Sequence, residues 1–143
     1  MTVRAVLDQV NVVVKDMDAM AAFYGHLGIE VSSGMPEWAP HHRGAEIEGG
    51  VDLDLDSPQF AAVWNQGWPG GTGAVLGFRL PARDDVDRVY EELTGAGYSG
   101  QQPPYDAFWG ARYAVVADPD GNSVGLMSPA DPARRSPPPH PPA

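Results

Sequence analysis

The sequence predicts an α+β fold made of two tandem β-α-β-β-β modules. An alternating apolar strand pattern leads into an amphipathic helix pattern twice, the second time 66 residues after the first, and three short strand signals follow each helix. With 143 residues the chain has about the size of one domain. We therefore expect a single domain over residues 1–128, with modules at about residues 5–66 and 73–128.

The first module begins with a strand that has one apolar face. That face is formed by Val10, Val12 and Val14. Asp16 or Asp18 is expected to cap a helix that Gly28 ends. The apolar stripe of this helix, which we expect to face the core, comprises Met20, Phe23, Tyr24 and Leu27. The strand signals that follow lie at residues 29–31, 45–48 and 51–55.

The second module repeats this pattern. The apolar face of its first strand consists of Leu76, Phe78 and Leu80. Asp84 or Asp85 is expected to cap the helix. The stripe of that helix comprises Val86, Val89, Tyr90 and Leu93. Strands are predicted at residues 98–101, 112–117 and 123–127, with a turn at 119–122 before the last strand.

Residues 129–143 have a different composition from the rest of the chain. They contain seven prolines and no aromatic residue, which is too little apolar surface to pack a core. We expect this segment to be a disordered, extended tail.

Composition limits the classes of partner. The formal net charge of −10, from 9 basic and 19 acidic residues, disfavours nucleic acid and anionic membranes and suits a neutral or cationic ligand. The absence of cysteine excludes disulfides, thiol nucleophiles and cysteine-ligated zinc. Because no apolar run approaches the ~20 residues that span a bilayer, we expect a soluble cytoplasmic protein.

Two motifs, in the context of the duplicated pattern, resemble a known superfamily. They are FYGHLG at residues 23–28 and DPDGN at residues 118–122. Over residues 5–128 the chain resembles the vicinal oxygen chelate superfamily, which contains glyoxalases, bleomycin resistance proteins and dioxygenases. Residues 104–113 (PYDAFWGARY) are most similar to the mitomycin-binding resistance proteins. The resemblance implies two modules that curve their sheets around a cleft, usually in a domain-swapped homodimer.

The resemblance also indicates where metal-using relatives place their ligands. The corresponding positions in this sequence are Gln9, Asp52, Val75 and Gly125. Valine and glycine offer no side-chain donor, whereas a catalytic metal takes about three protein ligands. His41 and His42 are expected to be solvated loop residues that point in opposite directions. We therefore predict no metal and no other cofactor.

A cleft without metal ligands has room for an aromatic guest. Trp109 lies where mitomycin-binding relatives place a stacking tryptophan, although it could instead belong to the core. Phe60 and Trp64 have helical spacing, which favours the core for both. The acidic strand residues could bind a ligand amine or form a solvated face. The predicted ligand-binding residues are Trp109, Tyr113, Trp38, Tyr105, Phe108, Gln9, Asn11, Asp52, Asp54 and Met127.

These observations favour a metal-free binding protein over an enzyme. We expect it to sequester an intact planar DNA-damaging antibiotic, such as a mitomycin, a bleomycin, an anthraquinone or an enediyne, and so to confer self-resistance. The alternative is an enzyme of the same superfamily: a glyoxalase-like lyase, or an isomerase or hydrolase that uses Asp52, Tyr113 or Arg79. A biosynthetic carrier is a third possibility, which the sequence does not separate from a resistance protein.

Overall fold

A computed structural model of the chain describes residues 3–142, and it confirms a mixed α+β fold with one seven-stranded sheet and three helices. The strands are β1 (Val6–Val13), β2 (His42–Ala45), β3 (Asp52–Asp56), β4 (Gly73–Arg79), β5 (Gly100–Asp106), β6 (Arg112–Ala117) and β7 (Ser123–Met127). The helices are α1 (Met17–Gly25), α2 (Pro58–Trp64) and α3 (Arg83–Gly95).

The two halves of the chain meet at the centre of the sheet. The strand order is β2-β3-β1-β4-β7-β6-β5, and the central pair β1–β4 is antiparallel. On either side of it lies a parallel pair with the same five-residue register: β1 with β3, and β4 with β7. Because side chains alternate along each strand, paired residues point to the same face of the sheet.

The helices α1 and α3 cover one face of the sheet. Apolar residues of α1 pack with Leu53 and Leu55 of β3, and those of α3 pack with Ala114 and Leu126 of β6 and β7. A third core cluster includes α2 and lies around Val13, Val75 and Tyr113. In β1 and β4 these valines alternate with residues that pack toward the helices, so the third cluster lies on the opposite face.

The first helix matches its predicted start but buries less apolar surface than expected. Asp16 is the N-cap, and its carboxylate accepts a hydrogen bond from the backbone N–H of Ala19 at 3.1 Å. The helix ends at Gly25, and Phe23 and Leu27 are 58% and 63% exposed. The prediction that both residues face the core is wrong: Leu27 lies beyond the end of the helix, and Phe23 lies on its exposed side.

The helix of the second module, α3, begins earlier than predicted. Its N-cap is Ala82, while Asp85 lies inside the first turn and its carboxylate accepts a hydrogen bond from the Ala82 N–H at 2.9 Å. The acidic side chain therefore satisfies the helix terminus by reaching back to it.

Two predicted strands of the first half are wrong. Residues 29–31 form no strand in the structure, and the pairing there is a single bridge between Ser32 and Gly44. The strand predicted at residues 45–48 lies earlier, at His42–Ala45, where it pairs with β3. Pairing with a distant strand decides both outcomes, and local alternation does not report it.

The proline-rich segment differs from the prediction of a disordered tail. Residues 132–134 form a 3₁₀ turn capped by Asp131, whose carboxylate accepts a hydrogen bond from the Ala133 N–H at 2.9 Å. The backbone N–H of Ser136 donates to the carbonyl of Phe108 at 3.0 Å. Backbone hydrogen bonds of Asp131 and Ser136, which composition does not reveal, hold residues 131–136 against the sheet domain.

Within the described part of the chain, the helices are all too short or too polar to cross a membrane.

Candidate functional site

A cavity of about 330 Å³ opens on the face of the sheet opposite α1 and α3. Both halves of the chain contribute to its walls. The lining residues are Gln9, Asn11, Ser33, Gly34, Met35, Trp38, His42, Asp54, Asp56, Phe60, Trp64, Phe108, Trp109, Tyr113, Met127 and Pro138. Its volume lies within the range of pockets that hold small molecules.

The second half of the chain supplies one aromatic wall. The ring of Trp109 meets those of Phe108 and Tyr113 edge-on, with centroid distances of 5.2 and 5.5 Å. The indole Nε1 of Trp109 donates to the Sδ of Met127 at 3.2 Å, which fixes the orientation of the ring. Trp109 is half-buried, so it belongs to this wall and also packs against the core.

The first half supplies a second group of aromatic side chains. Trp38 meets Phe60 at a centroid distance of 5.0 Å, and Trp64 of α2 meets Tyr113 at 6.2 Å. Trp38 lies in a short 3₁₀ turn and is only 6% exposed. Phe60 and Trp64 belong to the core, as their spacing indicates, and they also line the cavity.

A chain of polar side chains forms another part of the cavity lining. Asp56 is fully buried; its carboxylate accepts a hydrogen bond from the Asn11 Nδ2 at 2.8 Å and lies 2.6 Å from the His42 Nδ1. The Gln9 Nε2 donates to the Asn11 Oδ1 at 2.6 Å. Each member is thereby oriented by its neighbour, as buried polar groups require.

The acidic and imidazole groups of this wall have perturbed pKa values. Burial raises the pKa of Asp54 to about 7, the opposing effect of His42 is smaller, and the negative charges of Asp56 and Asp52 add to the increase. Burial lowers the pKa of His42, but the hydrogen bond and the charge of Asp56 outweigh it, so the net shift is upward. Near neutral pH, the proton on Asp54 is therefore held weakly enough for a ligand to change its protonation.

Two glycines make room for these side chains. A Cβ at position 125 would lie 2.9 Å from the Tyr113 hydroxyl oxygen, and a Cβ at position 44 would collide with the Asp54 Oδ1. The small residue at Gly125 therefore accommodates the phenol of Tyr113, which itself lines the cavity.

Eight of the ten predicted site residues line this cavity, and Asp52 and Tyr105 do not. Tyr105 lies behind the wall, where its hydroxyl donates to the backbone carbonyl of Trp64 at 3.2 Å and its ring packs against Tyr113. Asp52 is opposite Gln9 in the register but lies beyond the lining.

Eight lining residues lie outside the predicted set, among them His42, Pro138 and Asp56, the last of which was considered only as part of the acidic strand. The prediction that His42 is a solvated loop residue is wrong, because it lies on β2 directly opposite Asp56. The sequence signal that could have identified Asp56 is the alternation of aspartate and leucine in β3, which extends to Asp56. It becomes informative only once the β2–β3 register is known.

The positions that correspond to metal ligands do not suit a divalent metal. Asn11 of β1 and Gly77 of β4 are equivalent residues of the two modules. Asn11 pairs with Asp54, and Gly77 pairs with Gly125. The residue equivalent to Gly125 is therefore Asp54, and not Asp52 as the sequence predicted. The four positions that correspond to metal ligands are then occupied by Gln9, Asp54, Val75 and Gly125, of which only the first two have a side-chain donor. Among residues 3–142, no three histidine, aspartate or glutamate side chains come close enough together to hold a metal ion.

The chain combines a seven-stranded α+β sheet with a cavity that is lined by residues of both halves. The glyoxalase/bleomycin resistance protein/dioxygenase superfamily matches residues 6–126, and the chain belongs to that superfamily. A comparison with curated protein sequences finds no match.

Several solved structures share the fold. A protein described as NAD-dependent benzaldehyde dehydrogenase from Legionella pneumophila is 21% identical, with a TM-score of 0.61 over 84% of this chain and 96% of its own. The Mn(II)-bound glyoxalase from Novosphingobium aromaticivorans is 20% identical, with a TM-score of 0.64 over 89% of this chain. A variant of homoprotocatechuate 2,3-dioxygenase from B. fuscum is 17% identical, with a TM-score of 0.61 over 85% of this chain.

The chain spans only 40% of that glyoxalase chain and 32% of that dioxygenase chain. At these identities the similarity extends to the fold alone.

Proposed function

We propose that this protein binds and sequesters an intact planar aromatic compound, in the manner of the mitomycin-binding resistance proteins that its sequence resembles. The observation that carries this proposal is the composition of the cavity, which is lined both by aromatic rings and by a hydrogen-bonded acidic group. Flat molecules are held by such rings through stacking and by a few polar groups that fix their orientation. The expected ligands are DNA-damaging antibiotics of the mitomycin, bleomycin, anthraquinone or enediyne type.

The acidic group favours a ligand with a basic nitrogen. Asp54 and Asp56 both line the cavity, and the net charge of the chain is −10. A protonated amine placed near Asp54 would favour the carboxylate form, and the surrounding rings would add cation–π attraction. The same charge argues against nucleic acid and anionic membranes as partners.

Protection would come from lowering the concentration of free drug. Such a mechanism requires tight binding and sufficient copies of the protein in the cytoplasm, and it needs neither turnover nor a metal or other cofactor. A biosynthetic carrier would use the same cavity. Survival of cells that express the protein under antibiotic challenge separates the two functions, because a carrier would leave survival unchanged.

We further infer that the halves of the chain are copies of one module, combined in a single domain over residues 1–128. The equal registers of β1–β3 and β4–β7 support this inference. We also propose a homodimer, supported by the exposure of Phe23 and Leu27. In a domain-swapped dimer, the β1–β4 pair would form between chains. Sedimentation velocity tests the dimer, and a single species of about 15.2 kDa would contradict it.

The test of sequestration is a binding incubation with a panel of compounds: mitomycin C, a bleomycin, an anthraquinone and the planar cation proflavine. Bound compound is separated, released and identified by mass spectrometry. We expect about one equivalent of unaltered compound per site, and loss of retention in Trp109→Ala. Absence of retention for the whole panel would contradict the proposal, and product beyond one equivalent would establish an enzyme.

The His42–Asp56 pair favours a second candidate function. An imidazole that is hydrogen-bonded to a buried carboxylate through Nδ1 can use its other nitrogen as a general base. An isomerase or hydrolase of this family would therefore use His42, whereas Arg79 forms an ion pair with Asp8 and Asp52 lies beyond the cavity lining. His42→Gln should then abolish product formation while binding persists. Equal product from both proteins would contradict this candidate.

A further inference from the structure

We propose that residues 131–142, the proline-rich strap, form an outer wall of the cavity and slow the release of a bound planar ligand, with Pro138 in direct contact with it. This inference rests on the proposed binding function. It assigns a ligand-binding role to a segment that lies beyond the residues matched by the superfamily, which end at residue 126.

The strap is anchored to the loop that carries the aromatic wall. The Asp131 N–H donates to the carbonyl of Gly110 at 3.0 Å, and the Ser136 N–H donates to the carbonyl of Phe108 at 3.0 Å. Phe108 carries one of these anchors, Trp109 lies between them, and both residues line the cavity. The strap therefore positions the aromatic wall and also supplies a residue to the lining.

Gly110 allows the strap to approach this closely. Its φ is +96°, and a Cβ there would lie 2.4 Å from the Asp131 carbonyl oxygen. Any other residue would be strained in this backbone conformation and would also displace the strap. The Arg83 Nη1 donates to the Gly110 carbonyl at 3.0 Å, which fixes the same peptide from the side of α3.

The composition of the strap suits a retaining wall. Five of residues 137–142 are prolines, which restrict the backbone to extended conformations and lower the entropy cost of ordering it. Proline rings also pack well against aromatic grooves. Pro138 is half-buried and lines the cavity, whereas its neighbour Pro139 is exposed.

The experiment compares the full chain with a variant that stops after Arg135 and with the matched pair Pro138→Gly and Pro139→Gly. Both glycine variants soften the strap equally, but only the first removes a lining residue. Acrylamide quenching of tryptophan fluorescence, repeated in Trp109→Phe, measures whether the strap covers Trp109. Stopped-flow dilution of bound proflavine measures its dissociation rate.

We expect the truncated protein to show increased quenching at Trp109 and to release proflavine about tenfold faster. Pro138→Gly should release proflavine about threefold faster, with Pro139→Gly close to the full chain. Unchanged quenching in the truncated protein would overturn the strap as a wall. Unchanged dissociation rates, or equal effects of the two glycine variants, would overturn retention through Pro138.

Failure of the binding function gives a different result. If proflavine and the rest of the panel bind to neither the full nor the truncated chain, both the proposed function and the contact of Pro138 with a ligand are contradicted. The quenching measurement then still decides whether the strap covers Trp109.

Discussion

The two halves of the sheet carry different chemistry at equivalent strand positions. In the first half, Asn11 pairs with Asp54, whereas the equivalent pair in the second half is Gly77 with Gly125. Two residues further along the last strand, Asp56 of the first half corresponds to Met127 of the second. At these strand positions the first half therefore carries carboxylates and an amide, and the second half carries glycines and a thioether. A shared backbone can thus orient an asymmetric ligand, with its charged end toward β1 and β3.

The largest expected effect comes from breaking the polar half. Asp56→Ala removes the partner that both Asn11 and His42 use and leaves the buried Asn11 amide without its acceptor. The free energy of unfolding should fall by about 3 kcal/mol, measured by urea denaturation. Asp56→Asn keeps the size and one acceptor oxygen, so its loss should be about 1 kcal/mol. Equal stability of Asp56→Ala and the unmodified protein would show that this network contributes nothing.

Removing part of the aromatic wall of the second half should affect binding more than folding. Trp109→Ala removes a ring that contacts the cavity, so the affinity for both proflavine and anthraquinone-2-sulfonate should fall by about 10- to 100-fold. Trp109→Phe retains a ring and should lose less. Titration of tryptophan fluorescence from the remaining residues measures both variants, and a loss for only one of the two ligands would contradict a purely stacking role.

Charge selectivity tests the acidic half alone. Asp54→Asn should weaken proflavine binding by about tenfold and leave the binding of the anion anthraquinone-2-sulfonate unchanged or stronger. Asp52→Asn is the matched control, because it makes the same change on the same strand beyond the cavity lining. If both variants bind proflavine as the unmodified protein does, the acidic wall does not bind ligand amines.

Asp54 should also make stability depend on pH. Its pKa is raised from 3.8 to about 7, so between these values the folded chain binds more protons than the unfolded chain. The free energy of unfolding should therefore decrease as pH rises through this window, and Asp54→Asn should lack this contribution. Proflavine affinity should rise between pH 6 and 8, as the carboxylate forms. A parallel pH dependence in the Asn variant would assign the effect to another group.

The smallest effect is expected from a change at Gly125 of β7. Gly125→Ala brings a methyl group against the Tyr113 hydroxyl and should cost about 1 kcal/mol of stability. Gly34→Ala is the control within the same cavity, since a Cβ there meets no atom within 4 Å. Thermal denaturation of the two variants gives the comparison, and equal melting temperatures would show that Tyr113 moves aside freely.

Periodicity predicted the α+β class, both long helices and most of the sheet, because those signals are local. It did not locate β2, whose position depends on pairing with β3. That same pairing brings His42 to Asp56, so the polar group of the site was partly hidden as well. The aromatic wall was more predictable, since Trp109 and Tyr113 lie on the same face by alternation. The strap was missed because its order comes from backbone hydrogen bonds that proline content does not reveal.

The cavity crosses the line where β1 and β4 join the two halves of one chain. A molecule that contacts both sides of this line acts as a non-covalent cross-link, because separating the halves would break its contacts. By mass action, a ligand at 100 times its Kd would add about 2.7 kcal/mol to the stability of the joined state. Ligand binding should therefore slow amide hydrogen exchange along β1 and β4.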